Sequence, residues 1–304
     1  MDEREISDII ERVRRRVGEP GPQLARQAAM RAELDAPASA QLGDGVFATL
    51  NEAVAAAKAA AASGGMDLDR RKVVIEAVRR ATLEQAEALA RLAVEETGLG
   101  RVDDKTTKNR LCSTKTPGPE DLEVQAVSGA GGMTITEFAP FGVVGSISPV
   151  TNPAATVINN AISIISAGNA VVFNAHPSAR RVSNAAVRLI HRAIVGAGGP
   201  PGLIASVAEP TIESARGLMT HPDVRLLLVT GGPGVVREAL KTEKRAITAG
   251  PGNPPVVVDE TADVERAGAD IVRGASFDNN IVCTDEKTVI AVASIADRLV
   301  RSMA

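Results

Sequence analysis

A chain of 304 residues is long enough for one large domain or two ordinary ones, each with its own core. Apolar residues make up 44%, yet there are five Phe and neither Trp nor Tyr. The core must therefore be assembled from Val, Ile, Leu and Ala, as suits helices packed on a parallel sheet. A net charge of −3 argues against a protein whose main business is nucleic acid, and the apolar runs are too short and too interrupted for a membrane span.

No apolar h-region marks a secretory signal. Cys112 and Cys283 are too few for a disulfide framework and read as cytosolic thiols. His176, His191 and His221 lack ligand spacing, so no metal site is expected.

In chain order, residues 1–17 come first. Ile6, Ile9, Ile10, Val13 and Val17 fall on one narrow face of a helix whose other sides are charged or polar. A helix this short is marginal alone in water, so its stripe needs a partner. Either it docks on its own core or it binds elsewhere, helix in groove. Residues 18–44 are rich in Gly, Pro, Ala and Gln, a linker composition that favours the second reading.

From Val46 the sequence reads as compact. Thr49 with Glu52 forms a capping box that opens an Ala-rich helix reaching about Ala62. A long amphipathic helical region is expected over residues 69–97, stopped by Gly98 and Gly100. Residues 101–132 read as irregular, with a turn at Thr116-Pro117-Gly118-Pro119 and a glycine cluster at 129–132.

Short apolar strands then alternate with helical segments. Strands are expected at 143–148, 170–174, 204–207, 224–230, 246–248 and 256–259. Helices are expected near 154–166, 178–195 and 211–219, with another after Gly232. This alternation implies an α/β fold, an open parallel sheet of Rossmann-like βαβ units with ligands at the carboxyl ends of its strands.

Four strand-end segments are candidate sites: Ser148-Pro149-Val150-Thr151-Asn152-Pro153, Asn174-Ala175-His176-Pro177, Thr230-Gly231-Gly232-Pro233-Gly234, and residues 249–255, Ala-Gly-Pro-Gly-Asn-Pro-Pro. Each alone is a weak signal, since Gly and Pro at strand ends mostly just turn the chain. The Thr230 segment can aim backbone N–H groups at a phosphate, although it is no G-x-G-x-x-G. Cys283 follows Ser276-Phe277-Asp278-Asn279-Asn280-Ile281-Val282 and precedes a strand-like stretch at 287–293. A free cysteine is by default a buried structural thiol, whereas a loop position among polar residues favours a reactive one. Cys112, after the basic stretch of Lys105, Lys108 and Arg110, reads as structural.

Taken together and in order, these segments resemble the aldehyde dehydrogenase superfamily, and within it the CoA-acylating propionaldehyde and acetaldehyde dehydrogenases of bacterial microcompartments. The resemblance runs from Val46 to the C-terminus. It includes Val94-Glu95-Glu96-Thr97-Gly98-Leu99-Gly100-Arg101, Lys115-Thr116-Pro117-Gly118 and Phe141-Gly142-Val143-Val144-Gly145, besides the segments already quoted. Residues 1–17 and the linker look like the encapsulation peptide of such enzymes, which implies a shell-protein partner and a microcompartment lumen in a cytoplasm.

The resemblance implies Cys283 as nucleophile, with Asn152 and the Cys283 backbone N–H as oxyanion donors. It implies NAD as cofactor and coenzyme A as co-substrate, with Pro149, Val150, Thr151, His176, Pro177, Thr230, Gly231, Gly232 and Gly250 around the nucleotide. Where many relatives have Lys before the proline, this chain has His176, which leaves the ribose contact and the choice of NAD or NADP open. Hydrolytic members carry a Glu where this chain has Ala249. Alanine takes no proton, so the acyl group is expected to leave on the CoA thiol rather than on water.

The expected organisation is a targeting helix at 1–17 and a linker at 18–45. A NAD-binding domain with part of an oligomerisation region covers 46–250, and the start of a catalytic domain covers 251–304. Compared with the family the chain reads as a C-terminally truncated fragment, and the complete enzyme is expected to be a homo-oligomer acting on a small aldehyde. A silent cargo module and a hydrolytic semialdehyde dehydrogenase are the alternative functions.

Overall fold

The computed structural model describes residues 42–63 and 66–304; the expected targeting helix at 1–17 and all but the last four residues of the expected linker at 18–45 lie outside the described residues. A two-residue strand, β1 (Val46–Phe47), leads into α1 (Leu50–Ala62). The expected capping box is formed: Thr49 Oγ1 accepts from Glu52 N–H, and Glu52 accepts from Thr49 N–H. The long helical region expected next is two helices, α2 (Leu68–Glu84) and α3 (Ala86–Thr97), broken at Gln85. Gly98, at φ 68°, ends α3 in the left-handed conformation that glycine adopts without strain.

Residues 101–132 are not irregular, and this corrects the sequence expectation. α4 (Val102–Lys115) is a regular helix, and β2 (Gln125–Gly129) and β3 (Gly132–Thr136) form an antiparallel hairpin. The buried residues of α4 are Lys105, Thr106, Lys108, Asn109 and Ser113, all polar, so it carries no apolar stripe to read. Every residue of the hairpin strands is exposed, so no inside–outside alternation marks them.

The remaining elements follow the expected alternation: β4 (Val143–Ile147), α5 (Pro153–Ser166), β5 (Ala170–Asn174), α6 (Arg180–Gly196), β6 (Ile204–Val207), α7 (Ile212–Thr220), β7 (Val224–Thr230), α8 (Pro233–Leu240) and β8 (Arg245–Ala249). One parallel sheet runs in the order β1-β6-β5-β4-β7-β8. Successive strands step outward from β4 in one direction and then, from β7, in the other. That reversal opens a crevice at the carboxyl ends of β4 and β7.

Strands β4, β5 and β6 are buried along their whole length, because α1 and α7 cover one side and α5 and α6 the other. Phe173, Ile158, Ile162, Ile190 and Leu227 are among the fully buried side chains of this core. Gly145 lets the sheet pack closely: a Cβ there would lie 3.1 Å from both Leu218 and Val224.

The strand expected near 256–259 does not join this sheet. β9 (Pro255–Val258) pairs in parallel with β10 (Thr288–Ala291), backed by α9 (Val264–Ser276) and α10 (Ala296–Met303). Its small core is Val258, Val264, Ile271, Ile295 and Leu299. Among the described residues no helix is long and apolar enough to cross a membrane.

Phe173 tests the main core. It is the largest of the fully buried side chains and lies in β5, between β4 and β6. Phe173→Ala should lower the unfolding free energy by about 3–5 kcal/mol, read as a lower denaturation midpoint in urea.

Candidate active site

The first wall of the site is the turn after β4. Asn152 occupies the N-cap of α5, with Pro153 at the first helical position, where its missing N–H costs nothing. An N-cap Asn ordinarily turns its oxygen onto the first helical turn, but here its side chain makes no capping bond. Asn152 Oδ1 instead accepts from the ammonium of Lys108, and Nδ2 donates to Thr151 Oγ1 at 3.0 Å. The helix forgoes its own cap and the amide is set by a residue of α4.

The second wall is the cysteine loop. Asp278, Asn279 and Asn280 stand consecutively at φ 47°, 57° and 58°, left-handed conformations that Asp and Asn tolerate better than most residues. Their hydrogen bonds hold the turn. Asn280 Nδ2 donates to Ala275 O at 2.6 Å and to Glu286 O at 3.1 Å. Lys287 Nζ donates to Asn280 Oδ1 at 2.7 Å and to Val282 O at 3.1 Å. Asp285 Oδ2 accepts from Val282 N–H at 3.2 Å, and burial pushes its carboxyl above the usual range.

Gly252 presses against this loop. A Cβ built there would fall 2.2 Å from the Cys283 carbonyl oxygen, so only glycine lets the segment after β8 pass the nucleophile candidate so closely.

Behind both walls lies a buried ionic cluster. Asp278 is fully buried, and Lys105 and Lys108 are 3% and 9% exposed. Both ammonium groups donate to the same oxygen, Asp278 Oδ2, with Lys105 at 3.1 Å. Lys105 Nζ also donates to Thr151 O at 2.9 Å. The other oxygen, Asp278 Oδ1, accepts from Arg101 N–H at 2.8 Å. Burial lowers the Lys105 pKa, the neighbouring Lys108 adds to that, and Asp278 opposes both. Gly100 makes room for the carboxylate, since a Cβ there would lie 2.1 Å from Asp278 Oδ1.

Between the walls is a cavity of about 660 Å³ at the carboxyl ends of β4, β5 and β7. All eleven candidate residues from the sequence line it: Asn152 and Cys283, and Pro149, Val150, Thr151, His176, Pro177, Thr230, Gly231, Gly232 and Gly250. Thr211 and Lys287 also line it and lie outside the candidate segments of the sequence. None of the described lining residues is a carboxylate; Ala249 itself ends β8 at its edge.

The residues fit a dinucleotide. α8 starts at Gly232 and Pro233, and a Cβ at Gly232 or Gly250 would meet only open space, so the backbone there is accessible to a bulky polar group. His176 caps the short 3-10 turn Pro177–Ala179, its Nδ1 accepting from Ser178 N–H at 3.2 Å. In that bond Nδ1 is unprotonated, which leaves Nε2 as the donor.

The remaining motifs have structural explanations. Glu96 accepts from the N–H groups of Arg181 and Val182 at 2.8 Å, capping α6, while burial raises its pKa against those bonds. Thr116 donates to Asn159 and its carbonyl accepts from Arg79, tying the turn after α4 to α5 and α2. Cys112 is half-buried, and burial raises its pKa, as befits an unreactive thiol. No group of three or more His, Cys, Asp or Glu placed to hold a metal occurs among the described residues.

The sequence reading missed Lys105, Lys108 and Asp278. Two signals pointed to them: lysines spaced i,i+3 share one helix face, and an Asp-Asn-Asn run favours left-handed backbone.

The chain is similar to proteins known by sequence and by structure. The acetaldehyde dehydrogenase (acetylating) EutE of Salmonella typhimurium is 56% identical over 268 residues, which cover 88% of this chain and 57% of that protein. A propanal dehydrogenase (CoA-propanoylating) of the same organism is 44% identical over 262 residues, covering 86% and 56%.

Among solved structures, Rhodopseudomonas palustris propionaldehyde dehydrogenase with bound CoA and an acylated cysteine superposes with a TM-score of 0.83 at 48% identity, covering 86% of this chain and 60% of that one. A propionaldehyde dehydrogenase from the Clostridium phytofermentans fucose utilisation bacterial microcompartment gives 0.82 at 50% identity, covering 85% and 60%. The chain thus spans less than two thirds of the length of these relatives. The model of the aldehyde dehydrogenase family matches residues 35–304, and the chain belongs to that family.

Proposed function

We propose that this chain carries the nucleotide site and the nucleophile of a CoA-acylating aldehyde dehydrogenase. The reaction is aldehyde + NAD⁺ + CoA to acyl-CoA + NADH + H⁺, on a two- or three-carbon aldehyde. The observation that carries the reading is the single cavity lined by Asn152, Cys283 and the strand-end residues, with no carboxylate among its described lining residues. The reading divides the described chain into a nucleotide-binding part to residue 250 and the first part of a catalytic domain from 251.

In this reading the Cys283 thiolate attacks the aldehyde carbonyl carbon. A C–S bond forms and the carbonyl π electrons move to oxygen, which accepts from Asn152 Nδ2 and from the Cys283 N–H. The bound dinucleotide supplies the hydride acceptor. Residues 149–151, His176, Pro177 and the Thr230–Gly232 turn hold and orient it.

Loss of hydride leaves an acyl thioester on Cys283. A water molecule there meets no carboxylate among the described lining residues to take its proton, whereas the CoA thiol is a better nucleophile at the same carbonyl. CoA sulfur attacks, the bond to Cys283 breaks, and the enzyme thiolate is restored. Because one thioester is exchanged for another, the sequence of steps also runs in reverse.

The test is NADH formation from propanal with and without CoA. Cys283→Ala should abolish it, and Asn152→Ala should lower kcat by about 10²–10³-fold, the usual loss for one oxyanion donor. Retained activity in Cys283→Ala, or acid released without CoA as fast as acyl-CoA forms with it, would overturn the reading.

Gly252→Ala adds a methyl where the Cys283 carbonyl stands. It should displace the nucleophile loop and cut kcat by about tenfold or more with only a small change in Tm, measured by steady-state assay and thermal denaturation.

The relatives also support a microcompartment setting. We propose that residues 1–17 dock on a shell protein and bring the enzyme, as a homo-oligomer, into the lumen. A fluorescent protein fused to residues 1–20 should form foci in cells making shells; diffuse signal there would count against it.

A further inference from the structure

We propose that Lys108 is a positioning residue that sets the orientation of the Asn152 amide and strengthens it as a hydrogen-bond donor. This rests on the reading of Asn152 as an oxyanion donor. The argument begins with the geometry of the buried cluster. Asp278 is one carboxylate, yet two ammonium groups converge on its Oδ2. Lys105 alone makes a balanced pair with it, and Asp278 Oδ1 is already satisfied by Arg101 N–H. A second buried ammonium adds desolvation cost without being needed to neutralise that oxygen. The remaining contact of Lys108 in the cluster is with Asn152 Oδ1.

That contact decides the amide. An ammonium group has three donors and no acceptor, so it can face only the oxygen of a carboxamide. Oδ1 is thereby held toward α4. Nδ2 lies on the opposite branch, where one N–H goes to Thr151 Oγ1 and the second is the donor left for a ligand in the cavity that Asn152 lines. A cation on Oδ1 also draws electron density from the amide and makes its N–H a better donor. Without Lys108, both faces of the amide become comparable and the oxygen can turn toward the developing oxyanion. Asp278 supports the arrangement by anchoring Lys108 beside the loop that carries Cys283.

The experiment separates oxyanion stabilisation from loop integrity at the same sulfur. Acylation of Cys283 by propionyl-CoA passes through a tetrahedral oxyanion: the thiolate adds to the carbonyl, the C–S bond to CoA breaks, and CoA leaves as thiolate. Alkylation of Cys283 by iodoacetamide displaces iodide and forms no oxyanion. Both rates are read on the purified full chain by mass spectrometry, with peptide mapping to separate Cys283 from Cys112.

Lys108→Met leaves Lys105 and Asp278 as a balanced pair. It is expected to slow acylation by about 10- to 100-fold while alkylation changes by less than about 2-fold. In the Asn152→Ala background Lys108→Met should cost nothing further, since the two substitutions remove the same interaction. Lys108→Gln can present either a donor or an acceptor to Asn152. It is the variant to read where Met does not fold, with a smaller selective loss of about 3- to 10-fold.

Equal loss in both reactions, or losses that multiply across the two backgrounds, would overturn the proposal and leave the Asn152 reading intact. Wild-type acylation in Lys108→Met would do the same. Wild-type acylation in Asn152→Ala would overturn both.

Discussion

The Asp278 carboxylate is the tie on which the site depends. It is fully buried, and a buried carboxylate without partners costs several kcal/mol, so its surroundings have to supply cations and N–H groups together. Those partners come from one stretch far from Asp278 in sequence. Arg101, at the N-cap of α4, gives its N–H, Lys105 and Lys108 lie within α4, and Asp278 N–H in turn donates to Asp104 Oδ2 at 2.9 Å. Through Lys105 and Lys108 the same carboxylate reaches the carbonyl of Thr151 and the amide of Asn152. One group thus connects α4, the turn at the head of α5 and the loop carrying Cys283. None of these could shift alone without leaving a charge unpaired in the interior.

This explains why an otherwise poor helix is retained. The inner face of α4 is Lys, Thr, Asn and Ser, which contribute little hydrophobic burial. Its place is secured by polar bonds that only a preorganised acceptor can reward, and Asn109 Nδ2 adds one more by donating to Ala86 O at 2.9 Å. The left-handed run at 278–280 belongs to the same economy. Backbone strain is tolerated there because the carboxylate at 278, the amide at 280 and Lys287 over-determine the turn.

Much of this was legible in the sequence, for a physical reason. Strands such as Val143–Ile147 and Ala170–Asn174 are buried on both faces, so they stand out as apolar runs, and the turns between them are marked by Gly, Pro and Asn. Ten of the eleven candidate residues lie in strand-end segments, where an open α/β sheet leaves room, but it was the family resemblance that singled them out and added Cys283. What escaped was structure held by polarity or exposed to solvent. α4 has a polar interior face, the β2–β3 hairpin has no interior face at all, and β1 is two residues long. Sheet membership also escaped, because an apolar run at Pro255–Val258 does not say whether its neighbour is β8 or β10. A buried ionic cluster assembled from residues 170 or more positions apart leaves only weak local signals, two lysines at i,i+3 and an Asp-Asn-Asn run, and neither says that they meet.

The arrangement of charge around the cavity bears on which nucleophile would end the proposed reaction. The buried ions lie behind Asn152, with Asp278 fully buried and Lys105 and Lys108 nearly so, and the cavity lining carries amides, hydroxyls, an imidazole, Lys287 and apolar groups. In the proposed reaction, negative charge developing on a carbonyl oxygen there would be met by hydrogen-bond donors. A water molecule in the same space finds no carboxylate among the described lining residues to accept its proton. His176 is the one imidazole on the lining, and its Nδ1 already accepts from Ser178 N–H at the cap of its own turn. In the proposed reaction an acyl group on Cys283 would be protected from water by the lack of a carboxylate among the described lining residues, and removed by a nucleophile that needs no base from them. A thiol of ordinary acidity is already a few per cent thiolate near neutral pH and meets that condition, where water does not.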